Sequence, residues 1–197
     1  MKRSPSLTPP SPQGNALQRL IDIADEFVRF LEDRGELGQA HGYAGLLDGQ
    51  VKTGLGGGRN PEELGECLFL SVIERVRTVT GEVRKRFSAS KKRYGREALG
   101  NTFLGRFRKA ELDLEELILS VEKAERGHYC SGFSLDQMGD ALEELVDESV
   151  RLVRFGEEVR TRGKEIERER RKIRQKLAWT VFVGTAAALS FLLDRLG

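Results

Sequence analysis

Apolar residues recur along this chain at helical rather than strand spacing. Leu17, Leu20, Ile21, Ala24, Phe27, Val28 and Leu31 follow one another at three- and four-residue steps, while Asp22, Asp25, Arg29 and Glu32 fall between them. That stripe predicts an amphipathic helix over 16–34, with Asn15 as its N-cap and Gly35 as its stop. Glycines at 38, 42, 45, 49, 54 and 56–58 then mark 35–60 as a loop. A second helix opens at Asn60-Pro61-Glu62-Glu63, which supplies a cap, a proline in the first turn and acids at the positive end of the helix dipole. It carries Leu64, Leu68, Val72, Val76, Val79, Val83 and Phe87 on one face and runs to about Leu99. A third, Thr102 to Arg126, carries Phe103, Phe107, Leu112, Leu114, Leu117, Ile118 and Val121, with Gly127 as its stop.

Ser134 caps a fourth helix in which Met138, Leu145, Leu152, Val159, Ile166 and Ile173 repeat every seven residues. Leu135 and Leu142 supply the other half of this seam at its start, but the later alternates are Ser149, Gly156, Gly163 and Arg170. The helix should therefore be core-packed first and a charged stalk over 156–176. No strand-like alternation and no internal repeat is present. The expected fold is all-α: an antiparallel bundle of three or four helices, its main body over 61–155, continued by a long C-terminal helix. Residues 1–15, with Pro5, Pro9, Pro10 and Pro12 and no apolar period, read as a disordered arm.

Composition narrows the chemistry. The 197 residues hold 33 Lys and Arg against 31 Asp and Glu, so whole-chain charge gives no argument for nucleic-acid binding. Cys67 and Cys130, with His41 and His128, make neither a disulfide framework nor a convincing metal set. A Cys67–His41 nucleophile and base would need the fold to join them, and Gly54 to Gly58 lacks the Lys-Ser/Thr of a phosphate loop. The expectation is a protein that is not an enzyme and needs no cofactor or metal.

The final stretch changes the picture most. Residues 177–193, LAWTVFVGTAAALSFLL, contain no charge. As a helix they span about 25 Å, slightly less than a hydrocarbon core of about 30 Å. Leu177, Trp179, Val181, Phe182, Val183, Leu189, Phe191, Leu192 and Leu193 carry the hydrophobicity expected of a single transmembrane helix. Arg168, Arg170, Arg171, Lys172, Arg174 and Lys176 precede it and form the positive flank that stays cytosolic. This arrangement resembles tail-anchored membrane proteins as a class. That resemblance, with a short span and basic residues on both sides including Arg195, implies the mitochondrial outer membrane ahead of the endoplasmic reticulum. Gly184 and Ala188 offer a small-residue face for a homo-oligomer.

Two further segments carry expectations. Arg84, Lys85, Arg86, Lys91, Lys92, Arg93, Arg96, Arg106, Arg108 and Lys109 face only Glu97 within residues 84–109, interleaved with Phe87, Tyr94, Phe103 and Phe107. Such a block either contacts anionic lipid or pairs with the acidic stretches 111–125 and 136–148; pairing is favoured, and lipid stands ahead of nucleic acid. Leu135-Asp136-Gln137-Met138-Gly139-Asp140-Ala141-Leu142 resembles the BH3 helix of the Bcl-2 family, and 24–35 is similar to that family's first helix. The resemblance implies that Leu135, Met138 and Leu142 fill a partner's groove, that Gly139 allows close approach and that Asp140 meets an arginine. The leading expectation is a tail-anchored adaptor that brings protein partners to an organelle membrane. Beside it stand a BH3-type apoptosis regulator and a membrane-disrupting bundle acting through 84–109.

Overall fold

The computed structural model describes residues 12–34, 60–99 and 101–196, apart from the side chains of 12, 95–99, 101, 102 and 187–196. The described chain is helical: α1 (Pro12–Glu32), α2 (Pro61–Leu99), α3 (Asn101–Ser131) and α4 (Leu135–Leu196). Three of the four starts follow local chemistry. Asn60 Oδ1 accepts a hydrogen bond from the Glu62 amide at 3.2 Å. Ser134 and Gln137 form a reciprocal capping box, Ser134 N donating to Gln137 Oε1 at 2.9 Å and Gln137 N donating to Ser134 Oγ at 3.3 Å. α1 opens on Pro12, a residue suited to the first helical position, so Asn15 lies inside the helix rather than capping it.

Gly127 does not end α3. The helix continues to Ser131 and stops at Gly132, whose φ of 63° is the left-handed turn that glycine adopts without a Cβ penalty. Gly127 serves packing instead: a Cβ there would lie 2.7 Å from the Phe133 ring.

Cross-helix contacts fix the directions. α2 and α3 are antiparallel, joined by Arg77–Glu125 at 2.6 Å, Arg84–Glu115 at 3.0 Å and Lys91–Glu111 at 3.0 Å. α3 and α4 are antiparallel through Asp113–Arg151 at 3.4 Å and Arg106–Glu158 at 2.7 Å. α2 and α4 run in the same direction: Gly65 meets Leu135, Phe87 meets Phe155 and Arg93 meets Glu167. α1 runs that way too, since Arg19 pairs with Asp140 and Glu143 and Arg34 with Glu157. The expected antiparallel order therefore holds for α2–α3–α4 and not for α1. The 25 residues 35–59 are long enough to return the chain to the starting end.

α2 and α4 form the central pair, with α1 and α3 on opposite sides of it and, among the described residues, not packed on each other. Leu20, Phe27, Phe69, Val76, Phe87, Leu142 and Val159 are fully buried between the helices. Phe87, Phe103, Phe107 and Phe155 make an aromatic cluster with ring centres 5.1–6.5 Å apart. Burial continues along α4 to Ile166, eleven residues beyond 155. Leu112, expected on the buried face of α3, points to solvent because the inward stripe runs Phe107, Ala110, Leu114, Leu117, Val121.

Candidate functional site

After Ile166 no described residue of α4 is buried. Arg168, Arg170, Arg171, Lys172, Arg174 and Lys176 are exposed around the helix. Next come Leu177, Trp179, Val181, Phe182 and Val183, with Trp179 68% and Phe182 66% exposed. Trp179 and Phe182 touch edge to face, their ring centres 6.1 Å apart. The polar groups of this stretch are satisfied within the helix: Thr180 Oγ1 donates to the Lys176 carbonyl at 2.9 Å and Thr185 Oγ1 to the Val181 carbonyl at 3.0 Å. The side chains of Leu189, Phe191, Leu192 and Leu193 are not among those described, which reach Ala186 on this helix. Among the described residues, no helix is long and apolar enough to cross a membrane.

The 84–109 block is largely paired with acids. Besides the three links already given, Lys85 reaches Glu82 at 2.8 Å, whose carboxyl is held below its ordinary range by that hydrogen bond first and by the ammonium charge second. Arg93 reaches Glu167 at 2.5 Å and Tyr94 OH donates to Glu167 at 3.5 Å, while Arg86 also has a partner. Lys92, Arg108 and Lys109 are exposed, and the Arg96 side chain lies outside the described residues.

The BH3-like segment is turned inward. Leu135, Met138 and Leu142 are buried in the core between α1, α2 and α4. Gly139 lies beneath Arg19, whose Nη1 would be 3.5 Å from a Cβ there. Asp140 accepts a hydrogen bond from Arg19 Nη1 at 2.8 Å, and Glu143 takes Nη2. Glu143 first and Asp140 second hold that guanidinium even more firmly protonated than an ordinary arginine. The arginine that the resemblance asks for comes from α1 of the same chain.

The remaining candidates stay apart. Cys67 and Cys130 are free and exposed. His128 is buried with Nε2 3.1 Å from Glu66 Oε1, its ring against Phe69 and Phe133. His41 and Gly54 to Gly58 lie outside the described residues, and no group of three metal-ligating side chains occurs among the described ones. A groove the sequence did not announce, of about 1230 Å³, runs between α1 and α3 over α4, lined by Ile23, Phe30, Lys109, Asp147, Val150 and Phe155 among others. It exists because α1 and α3 stand on opposite sides of the central pair, a relation that no single-helix pattern contains. No family model, curated protein or solved structure matches the chain.

Proposed function

We propose that this protein is a non-enzymatic, membrane-anchored helical adaptor, its bundle held at the cytosolic face of an organelle membrane by the apolar end of α4. The observation that carries this reading is the unpartnered apolar surface from Leu177 to Val183, directly behind six exposed basic residues. Water around exposed Leu, Trp, Val and Phe at every angle of a helix is unfavourable, and a bilayer removes it. The remaining residues to Leu193 add no charge, and the basic flank orients the bundle to the cytosol. The short span with basic residues on both sides favours the mitochondrial outer membrane over the endoplasmic reticulum. Partner recruitment falls to helical surfaces such as the α1–α3 groove.

A BH3-type role asks more of the molecule. Leu135, Met138 and Leu142 would have to leave the core and Asp140 would have to leave Arg19. Anchoring and surface recognition need neither change. The test is a fluorescent fusion with and without residues 177–197, followed by alkaline carbonate extraction. An extraction-resistant full chain on an organelle and a soluble truncated chain support the anchor; solubility of both removes it.

A further inference from the structure

The near-zero net charge conceals an axial charge separation. Contacts with α4 set the heights of the other helices: Arg19–Glu143 and Arg34–Glu157 for α1, Phe87–Phe155 and Arg93–Glu167 for α2, and Asp113–Arg151 for α3. A plane through α4 between Val150 and Arg151 thus cuts α1 after Phe27, α2 after Val79 and α3 after Asp113. Residues 12–27, 61–79, 114–131 and 135–150 on one side carry net −12, and residues 28–34, 80–99, 101–113 and 151–176 on the other carry net +12. Two basic blocks far apart in sequence, 84–109 and 168–176, meet at the positive end. It is also the end from which α4 continues into its apolar segment.

We infer that the positive end of the bundle, formed by the α2–α3 hairpin together with the collar on α4, docks on the anionic lipid headgroups of the membrane that holds the anchor. The inference rests on the anchor reading and adds the lipid class and the orientation. Glu167, which holds Arg93, is ten residues before Leu177, an axial rise of about 15 Å. The headgroup layer occupies about 5–8 Å of that. The remaining gap is close to one Debye length, about 8 Å in physiological salt. α2 runs on in the same direction for five residues beyond Tyr94, to Leu99, which brings the hairpin nearer still. Pairing within the bundle does not cancel this field: Arg93–Glu167, Lys91–Glu111 and Arg106–Glu158 use acids already counted at that end, and Arg84–Glu115, which reaches across the plane, engages only one charge of the excess. The field aligns the molecule before contact, and the acidic end faces away from the lipid.

The test uses the full chain in phosphatidylcholine vesicles with and without phosphatidylserine, a quencher being attached to the lipid headgroups. A fluorophore is placed at Ser88→Cys, exposed on α2 at the positive end, in a Cys67→Ser, Cys130→Ser background; a second protein is labelled on Cys67 at the negative end with Cys130→Ser. The expected result is quenching at position 88 only with phosphatidylserine, lost when salt shortens the Debye length to about 3 Å at 1 M. Label on Cys67 stays unquenched throughout. Lys92→Gln and Arg108→Gln, both exposed, each lower the ratio of docked to undocked protein about fivefold. Quenching that ignores phosphatidylserine or salt overturns the inference, as does a nucleic-acid mobility shift without anion-dependent quenching. The two readings fail separately. Carbonate-resistant protein without anion-dependent quenching sinks the docking alone, whereas anion-dependent quenching of protein that carbonate strips away sinks the anchor alone.

Discussion

Leu142→Ala separates a core residue from a partner-binding one. Leu142, on the inner face of α4, has no exposed surface and belongs to the same buried core as Leu20 of α1 and Leu135 and Leu145 of α4. Truncation removes three carbons worth about 0.8 kcal/mol each in transfer, or roughly 2.4 kcal/mol. The cavity left behind adds to this and brings the total to about 3–5 kcal/mol. For a chain of this size each kcal/mol moves the thermal midpoint by about 2–4 °C, so a fall of roughly 6–20 °C is expected. Asp140→Ala in the same segment breaks an exposed ion pair with Arg19 and should cost only a small fraction of that. The assay is thermal unfolding of the full chain in mild detergent, followed by helical circular dichroism. A Leu142→Ala midpoint indistinguishable from the parent's would refute the packing described here and return the Leu135–Leu142 face to a partner.

Other perturbations probe the joints of the bundle by chemical denaturation. Ser134→Ala removes one half of the capping box at the head of α4 and should cost about 1 kcal/mol; no change would mean that the cap is idle. Gly127→Val drives a side chain into Phe133 and should cost about 1–3 kcal/mol, whereas a stable variant would show that the ring moves aside freely. Lys85 lowers the folded-state pKa of Glu82 below the ordinary 4.5, so that pair stabilises fully above about pH 4.5. Its contribution fades as pH falls through the depressed value, and a Lys85–Glu82 double-mutant cycle that stays constant through the acid range would contradict this.

What the sequence disclosed was local. Periodicity located all four helices, Ser134 and the Asn60-Pro61 start announced their caps, and alternating charge blocks anticipated the Arg84–Glu115 and Lys91–Glu111 links. Direction and end-to-end register were not legible. α1 carries the same kind of apolar stripe whether it runs with α4 or against it, and only contacts such as Arg34–Glu157 decide. Gly127 misled because glycine both ends helices and admits a close neighbour, and Phe133 supplied the neighbour. The BH3-like pattern is ambiguous in a related way: leucine and methionine at helical spacing suit a bundle core as well as a groove, and the fold places Leu135, Met138 and Leu142 in the core. Charge separation stayed hidden because its two basic blocks are almost 60 residues apart and meet only once α2 and α4 are laid parallel.

That parallel arrangement leaves α1 the most detachable helix. One residue separates α2 from α3 and three separate α3 from α4, while α1 packs on α2 and α4, does not pack on α3 among the described residues, and connects through the 25 residues 35–59. Local unfolding follows such boundaries, since opening α1 exposes its own stripe without breaking the α2–α3–α4 ladder. Phe27 is fully buried at the centre of that stripe. Phe27→Ala should weaken α1 by about 3–5 kcal/mol, limited by the free energy that holds it closed. At 1.4 kcal/mol per factor of ten, amide exchange over 16–31 should accelerate by about 100-fold or more, up to that limit. Exchange over the central residues of α2 and α4 should change far less, because they remain paired with each other and with α3. Hydrogen exchange followed by mass spectrometry reads both regions in one sample. Equal acceleration in α1 and in the centre of α4 would show that the four helices open as a unit, and α1 would then be as integral to the bundle as the helices it rests on.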